Sequence, residues 1–95
     1  MKIWVDDIRP VPFGYVGTKS VNETIELIEK AESEGIDIEL LDLDHDLGDC
    51  AFDGGDAIKI FDFLVERETY YNINIHTSNP VGRAYMERMI SRYWN

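Results

Sequence analysis

The sequence predicts an α/β fold, a three-layer sandwich around a four-stranded, mainly parallel sheet of strand order 2-1-3-4 with about three helices. Short apolar runs that fit strands alternate with segments of helical periodicity, and this alternation is typical of parallel sheets with right-handed crossovers. The chain has 95 residues, of which 44% are hydrophobic. We therefore expect one domain over residues 1–95 with a modest core.

The first half of the chain is predicted to fold as strand, loop, strand, helix and strand. The strands cover residues 2–5, 15–18 and 36–44, and the loop covers residues 8–14. Ser20 and Glu23 form a capping box that begins the helix, and Gly35 ends it. The connection between the first two strands is about nine residues long and has no helical pattern, which is short for a parallel crossover. Either this crossover is an extended loop or the second strand pairs differently.

The second half is predicted to contain a polar turn, a helix, a strand and a final helix. These elements cover residues 48–55, 56 to about 68, 72–76, and 80 to the C-terminus. Asn79 is a suitable N-cap for the last helix and Pro80 is a suitable first helical residue. Apolar residues at helical spacing predict the buried face of that helix: Tyr85, Met89, Ile90 and Tyr93.

Charge and composition argue against several classes of function. The net charge of −10 is unfavourable for binding duplex nucleic acid, which needs clustered Lys and Arg. No apolar run is long enough to span a membrane, and the first residues lack the apolar stretch of a secretory signal. The lone Cys50 excludes an internal disulfide and fits a reducing compartment. We expect a cytoplasmic protein that binds a small phosphate-containing molecule, or a protein partner through its acidic surface.

An acidic run follows the third predicted strand. Residues 41–48 read LDLDHDLG and place three carboxylates and one imidazole within five positions. Alternation with leucine directs the three carboxylates to one side of the strand and His45 to the other. Carboxylates on one side repel each other, which raises their pKa values unless a cation lies among them. Oxygen-rich clusters of this kind suit Mg²⁺, Mn²⁺ or Ca²⁺.

Three predicted strands end in polar residues. The first ends at Asp6-Asp7, the third at Asp44-His45-Asp46, and the fourth runs into His76 and the residues up to Asn79. In a sheet of order 2-1-3-4 these strands are neighbours, so their carboxyl ends meet at one edge, where α/β proteins bind ligands. We take Asp6, Asp7 and Asp44 as candidate metal ligands; the alternative is that they cap turns.

The two histidines of the chain, His45 and His76, both lie at this predicted edge. Two imidazoles can divide general base and general acid work at neutral pH, and Asp46 would ligate the cation or orient His45. Alternatively, one or both histidines bind the metal, which would favour Mn²⁺, Fe²⁺ or Zn²⁺ over Mg²⁺. His76, His45 and Asp46 are therefore candidate catalytic residues.

Candidate phosphate ligands lie at the same edge. Arg9 either contacts phosphate oxygens or forms a salt bridge with a neighbouring carboxylate. Ser78 and Asn79 precede the final helix, and a helix N-terminus is an anion-binding position. Arg83 lies one turn further along and is expected to reach the same anion.

Three motifs resemble those of the cyclic-phosphate processing receiver domains, relatives of the receiver domains of two-component signalling. The motifs are Asp6-Asp7-Ile8-Arg9-Pro10, Asp44-His45-Asp46-Leu47-Gly48 and His76-Thr77-Ser78-Asn79-Pro80, and the resemblance covers essentially the whole chain. It implies a small receiver-like (flavodoxin-like) fold and hydrolysis of a cyclic phosphate, of a nucleotide or a sugar, with a divalent metal. Mg²⁺ or Mn²⁺ is expected before Zn²⁺.

Two other functions remain open. One is a receiver-type signalling module that is phosphorylated on Asp44 or binds metal there. Signalling receivers have a helix after the first strand and a fifth strand bearing a Lys that contacts the phosphoryl group, and this chain has neither. The other is a non-catalytic acidic module for protein interaction, which would have no metal affinity at the strand ends.

Overall fold

The computed structural model describes residues 1–94; Asn95, which the predicted domain and final helix include, lies outside the described residues. The elements in chain order are β1 (Lys2–Val5), β2 (Tyr15–Thr18), α1 (Val21–Ser33), β3 (Leu40–Leu43), a short 3₁₀ helix (Gly48–Phe52), α2 (Ile58–Arg67), β4 (Ile73–Ile75) and α3 (Pro80–Tyr93). The predicted helix caps are both present: the Ser20 side chain accepts a hydrogen bond from the Glu23 amide, and Asn79 accepts one from the Gly82 amide.

The four strands form one parallel sheet of order β2-β1-β3-β4, which confirms the predicted strand order. β2 pairs in parallel with β1, so the nine-residue connection of residues 6–14 is an extended crossover loop. The Asp6 amide continues the pairing beyond β1 by donating to the Thr18 carbonyl at 3.1 Å. The loop therefore leaves the sheet from its carboxyl edge, next to the end of β3.

The three helices form one layer against one face of the sheet. Side chains alternate along a strand, and the fully buried Ile3, Val5, Leu41 and Leu43 share a core with residues of all three helices. α1 and α2 make successive crossovers in the same direction across the sheet, and right-handed crossovers of that kind lie on one face. α2 contacts both α1 and α3.

The opposite face of the sheet carries Trp4 and Asp42, and the crossover loop packs on it. A Cβ atom at Gly17 of β2 would lie 2.4 Å from a methyl group of Val11 in the loop. The predicted α/β fold with four parallel strands and three helices is confirmed, but the prediction of three layers is corrected. A loop replaces a helix between β1 and β2, so no helix is available to cover the second face within residues 1–94.

Three element boundaries differ from the prediction. β3 begins at Leu40 rather than at residue 36, because the Ile36 amide donates to the Ala31 carbonyl and closes the end of α1 instead of joining the sheet. α2 covers Ile58–Arg67, and β4 covers Ile73–Ile75. On α3, Met86 is fully buried, whereas Tyr85, predicted to be buried, is 50% exposed.

None of the helices within residues 1–94 combines the length and the apolar character needed to cross a bilayer.

Candidate active site at the carboxyl edge of the sheet

Three carboxylates meet where β1 and β3 end side by side. Asp6 and Asp7 follow β1, Asp44 follows β3, and one oxygen from each lies within 4.8 Å of the others. Asp6 and Asp44 are buried, and Asp7 is partly buried. The structure thus brings together the three residues that the sequence analysis named as candidate metal ligands.

Asp6 is held by four hydrogen bonds. Its Oδ1 accepts from the amides of Ile8 and Arg9 at 2.9 and 3.0 Å, which shapes the first turn of the crossover loop. Its Oδ2 accepts from Arg9 Nη1 at 2.9 Å and faces His76 Nε2 at 3.0 Å. Burial acts to raise the pKa of Asp6, but the hydrogen bonds from Ile8, Arg9 and His76 together lower it below its usual value. Asp6 is therefore an ionised carboxylate whose position is fixed on both oxygens.

Asp7 differs because its Oδ1 is buried and has no hydrogen-bond partner among the described residues. A buried carboxylate oxygen without a donor is costly and calls for a partner from outside the protein. Gly48 approaches the other oxygen closely: it adopts a φ of +53°, and a Cβ atom there would lie 2.3 Å from Asp7 Oδ2. The residues present therefore fit a divalent cation with oxygen ligands.

Arg9 bridges two of the three acids. Its Nη1 donates to Asp6 Oδ2 at 2.9 Å and to Asp44 Oδ2 at 3.1 Å, while Asp44 Oδ1 accepts from the His45 amide at 2.8 Å. The hydrogen bond with Asp6, followed by the charges of both carboxylates, raises the pKa of the guanidinium. The salt-bridge interpretation of Arg9 is thus present in the structure, and phosphate binding by Arg9 stays a prediction.

A cavity of about 300 Å³ lies directly against the acid cluster. It is lined by Asp7, Ile8, Arg9, Asp44, Asp46, Gly48 and Ser78. Residues from three strand ends, β1, β3 and β4, therefore share one cavity, as the sequence analysis expected for the carboxyl edge of the sheet.

Two candidate phosphate ligands do not line this cavity. Asn79 caps α3 with its Oδ1 and donates from Nδ2 to Asp46 Oδ2 at 3.0 Å. Arg83 donates from Nη2 to the carbonyls of Ile75 and Thr77 at 3.1 and 3.3 Å. Both side chains are used to hold α3 against the ends of β3 and β4, so Ser78 alone represents this segment in the cavity lining.

His76 lies on the sheet face that carries no helix. Its Nδ1 faces Asp42 Oδ1 at 2.6 Å and its Nε2 faces Asp6 Oδ2 at 3.0 Å. The ring stacks on Trp4 with a centroid separation of 3.7 Å and an interplanar angle of 4°. Each ring nitrogen therefore faces one carboxylate oxygen, and the indole covers one face of the ring. His76 thus links Asp42, within β3, to Asp6 at the end of β1.

His45 lies on the helix side of the sheet and pairs with Asp46. Its Nδ1 is 2.9 Å from Asp46 Oδ1, and Gly82 of α3 packs so closely that a Cβ atom there would lie 2.5 Å from His45 Cγ. The hydrogen bond from His45, then that from Asn79, lowers the pKa of Asp46 below its usual value. Atoms of His45, Asp46 and Asp56 that can bind a metal also lie within 4.8 Å of one another.

The two histidines are therefore at the same edge but on opposite faces of the sheet, and the structure does not bring them together as an acid–base pair. The alternation of side chains continues past the ends of β3 and β4, so Asp44 and His76 share one face and His45 takes the other. Sequence reasoning missed Asp56 and gave Trp4 no part in the site. A glycine at a helix start such as Gly82 is a usable signal of close packing, since glycine is costly in helices.

Comparison with known families identifies one match. The model of a family described as the cyclic-phosphate processing receiver domain matches residues 1–92. No curated protein and no solved structure matches the chain.

Proposed function

Because the chain belongs to the family of cyclic-phosphate processing receiver domains, we propose that it is a metal-dependent phosphoesterase that hydrolyses a cyclic phosphate. The family is associated with cyclic-phosphate processing, and the hydrolysis and the metal dependence are our proposal. One observation supports it most: the buried Asp7 Oδ1 has no donor, and Asp7 lines the same cavity as Arg9 and Ser78. Cation ligands and phosphate ligands thus share one space.

Asp7 and Asp44 are assigned to hold the divalent ion, with Asp6 beside them. A donor set made only of carboxylates favours Mg²⁺ or Mn²⁺ over Zn²⁺. When bound, such an ion neutralises phosphate charge and polarises water. The Asp6 side chain contributes mainly by fixing the first turn of the crossover loop, because its Oδ1 accepts from two backbone amides of that loop and its Oδ2 faces both Arg9 and His76.

Arg9 and Ser78 are assigned to the phosphate. Only Nη1 of the Arg9 side chain is hydrogen-bonded within residues 1–94, so its other N–H groups can donate to phosphate oxygens in the cavity it lines. Ser78 is exposed and lines the same cavity, where its hydroxyl can donate to the same group. Asn79 and Arg83 are assigned to holding the segment that carries Ser78 in place.

Hydrolysis of the ring forms a bond from water oxygen to phosphorus and breaks one ester P–O bond. The water gives up a proton, and the departing alkoxide gains one. The Asp46–His45 pair is assigned to take the water proton and to return a proton to the alkoxide, because Asp46 lines the cavity and its Oδ1 is 2.9 Å from His45 Nδ1. His76, held between Asp42 and Asp6, is assigned as a positioning residue rather than as the general acid.

The proposal is tested by ³¹P NMR of the pure protein with Mg²⁺, Mn²⁺ or Zn²⁺. The substrates are 2′,3′- and 3′,5′-cyclic nucleotides and a cyclic sugar phosphate. We expect metal-dependent conversion of one cyclic phosphate to a monoester, lost in Asp7→Asn. The matched control is Asp49→Asn, which removes one exposed carboxylate from the neighbouring 3₁₀ helix and leaves the cavity lining unchanged. Asp49→Asn is expected to keep full activity.

Other outcomes would point to the remaining functions. A new acyl-phosphate resonance that disappears in Asp44→Asn would support a phosphorylated signalling module instead. Unchanged spectra together with no metal binding in calorimetry would overturn the phosphoesterase and favour an acidic interaction module. Equal activity of Asp7→Asn and Asp49→Asn would remove the assigned metal site from the mechanism.

A further inference from the structure

Arg9 places a positive charge inside the cluster of carboxylates that is assigned to the metal. One nitrogen, Nη1, lies 2.9 Å from Asp6 Oδ2 and 3.1 Å from Asp44 Oδ2. Ligand atoms of Asp6, Asp7 and Asp44 lie within 4.8 Å of one another. The guanidinium therefore occupies a position between two carboxylates that a cation would also prefer, and a unit charge there repels a divalent ion a few ångströms away.

The protein needs a positive charge at this place when no metal is present. Asp6 and Asp44 have side chains that are 0% and 10% exposed, and buried like charges destabilise a fold unless they are compensated. His76 reaches only Asp6 from the other side. Arg9 alone, among the described residues, forms an ion pair with both carboxylates.

The Arg9 side chain is also able to move away from the two carboxylates. Its side chain is 41% exposed, it lies on a loop rather than on a strand or helix, and it lines the cavity of about 300 Å³ next to the cluster. Its backbone amide is bound to Asp6 Oδ1 at 3.0 Å. The loop therefore stays anchored when the guanidinium moves.

We propose that Arg9 is a tethered cation that competes with the metal ion for Asp44 and Asp6. Metal binding displaces the guanidinium from the carboxylates into the cavity, where it becomes available to a phosphate. This inference rests on the metal site of the proposed function. It adds that metal affinity is held down by the same residue that later binds the phosphate, so that phosphate and metal bind cooperatively.

The test measures Mn²⁺ affinity by isothermal titration calorimetry, in the absence of any substrate. Arg9→Gln removes the charge and keeps a side chain of similar length, and Arg9→Lys keeps the charge. The control Arg88→Gln makes the same change in net charge on α3, where Arg88 lies over the Tyr85 ring at 5.4 Å. We expect Arg9→Gln to bind Mn²⁺ at least about tenfold more tightly than the wild type. Arg9→Lys and Arg88→Gln should bind within about twofold of the wild type.

Melting curves give a second measurement on the same proteins. Without metal, Arg9→Gln should melt at a lower temperature than Arg88→Gln, because two buried carboxylates lose their shared partner. The rise in melting temperature on adding Mn²⁺ should be larger in Arg9→Gln, since at a given concentration a ligand that binds the folded state more tightly stabilises it more.

Each result decides between the two proposals. If the wild type binds Mn²⁺ and Arg9→Gln binds no more tightly than Arg88→Gln, the competition is overturned and the metal site stands. If neither wild type nor Arg9→Gln binds a divalent ion, both proposals fail. The gain in Arg9→Gln should disappear in the double variant with Asp7→Asn; a gain that persists there would place the ion elsewhere and overturn the inference.

Discussion

Gly82 provides the sharpest test of how α3 is seated against the site. It is the third residue of α3 and is buried, and a Cβ atom there would lie 2.5 Å from His45 Cγ and 2.8 Å from His45 Nδ1. Such distances force a shift. A rotation of the His45 ring would break the hydrogen bond from its Nδ1 to Asp46, and a shift of the His45 backbone would disturb its hydrogen bonds with Asp44 and Ala57.

Two effects of opposite sign act in Gly82→Ala. Alanine is favoured over glycine in a helix by up to about 1 kcal/mol. Forcing one extra carbon into a filled space costs about 1–3 kcal/mol. Because the clash also includes the His45 Cβ at 2.9 Å, next to a backbone held by hydrogen bonds with Asp44 and Ala57, we expect the steric cost to exceed the gain in propensity, and the free energy of unfolding to fall by about 1–2 kcal/mol.

Urea unfolding followed by circular dichroism measures this change. Ala84→Gly, at an exposed position of the same helix, calibrates the propensity difference in α3 without a clash. In a His45→Ala background the ring atoms are gone and only the His45 Cβ, 2.9 Å from the added Cβ, stays close, so Gly82→Ala should destabilise the protein less than it does in the wild type. The reasoning is refuted if Gly82→Ala stabilises the wild type, or if its effect is the same in both backgrounds.

Three further predictions concern single groups. The hydrogen bond from His45, then that from Asn79, lowers the pKa of Asp46 below 3.8. The contribution of the ionised Asp46 side chain to stability is therefore present above the unfolded pKa and lost as pH falls through the folded pKa. Carboxyl ¹³C NMR should show a higher titration midpoint for Asp46 in His45→Ala, and an unchanged midpoint would contradict this cause. Gly48→Ala should weaken Mn²⁺ binding at least about tenfold, because the added Cβ would push the Asp7 side chain away. The positive φ at this position should also lower the free energy of unfolding by about 1–2 kcal/mol. Unchanged Mn²⁺ affinity in calorimetry would count against the Asp7 site. Burial, then the contact with Glu32, raises the pKa of Tyr71 to about 12. In an alkaline absorbance titration, one of the five tyrosines should ionise after the others, and this last ionisation should be absent in Tyr71→Phe. Five ionisations near the ordinary tyrosine pKa of 10.0 would contradict the prediction.

Much of the fold follows from local signals in the sequence. The Ser20 and Asn79 caps act through their own side chains on nearby amides, at 3.1 and 3.0 Å, so short sequence patterns suffice to predict them. The start of β3 could not be predicted in this way, because the apolar residues of the segment before Leu40 look the same whether they pair in a sheet or lead to it. The face on which the β1–β2 crossover lies depends on strand order, which no local pattern contains.

The candidate site shows the same difference between what local sequence patterns predict and what depends on the tertiary fold. Asp6, Asp7 and Asp44 were predictable as a group, since the carboxyl ends of adjacent parallel strands meet at one edge. The separation of His45 from His76 was not, because it depends on side-chain alternation that continues beyond the strands. Likewise, the salt bridges of Arg9 join acids at the ends of two different strands, which is a tertiary property, and phosphate binding by Arg9 stays a prediction.

The short crossover loop also has a consequence for the order of folding. Lys2 pairs with Tyr15, thirteen residues away, and loops of about ten residues close within about 10–100 ns. Asp44 instead reaches Arg9 across 35 residues, which carries a larger entropic cost of closure. We therefore expect the β1–β2 pair to form first and to bring Asp6 and Arg9 together before β3 docks. On this pathway Arg9 already lies beside Asp6 when Asp44 arrives, so its charge offsets the repulsion between the two carboxylates. The site therefore assembles without a separate electrostatic barrier.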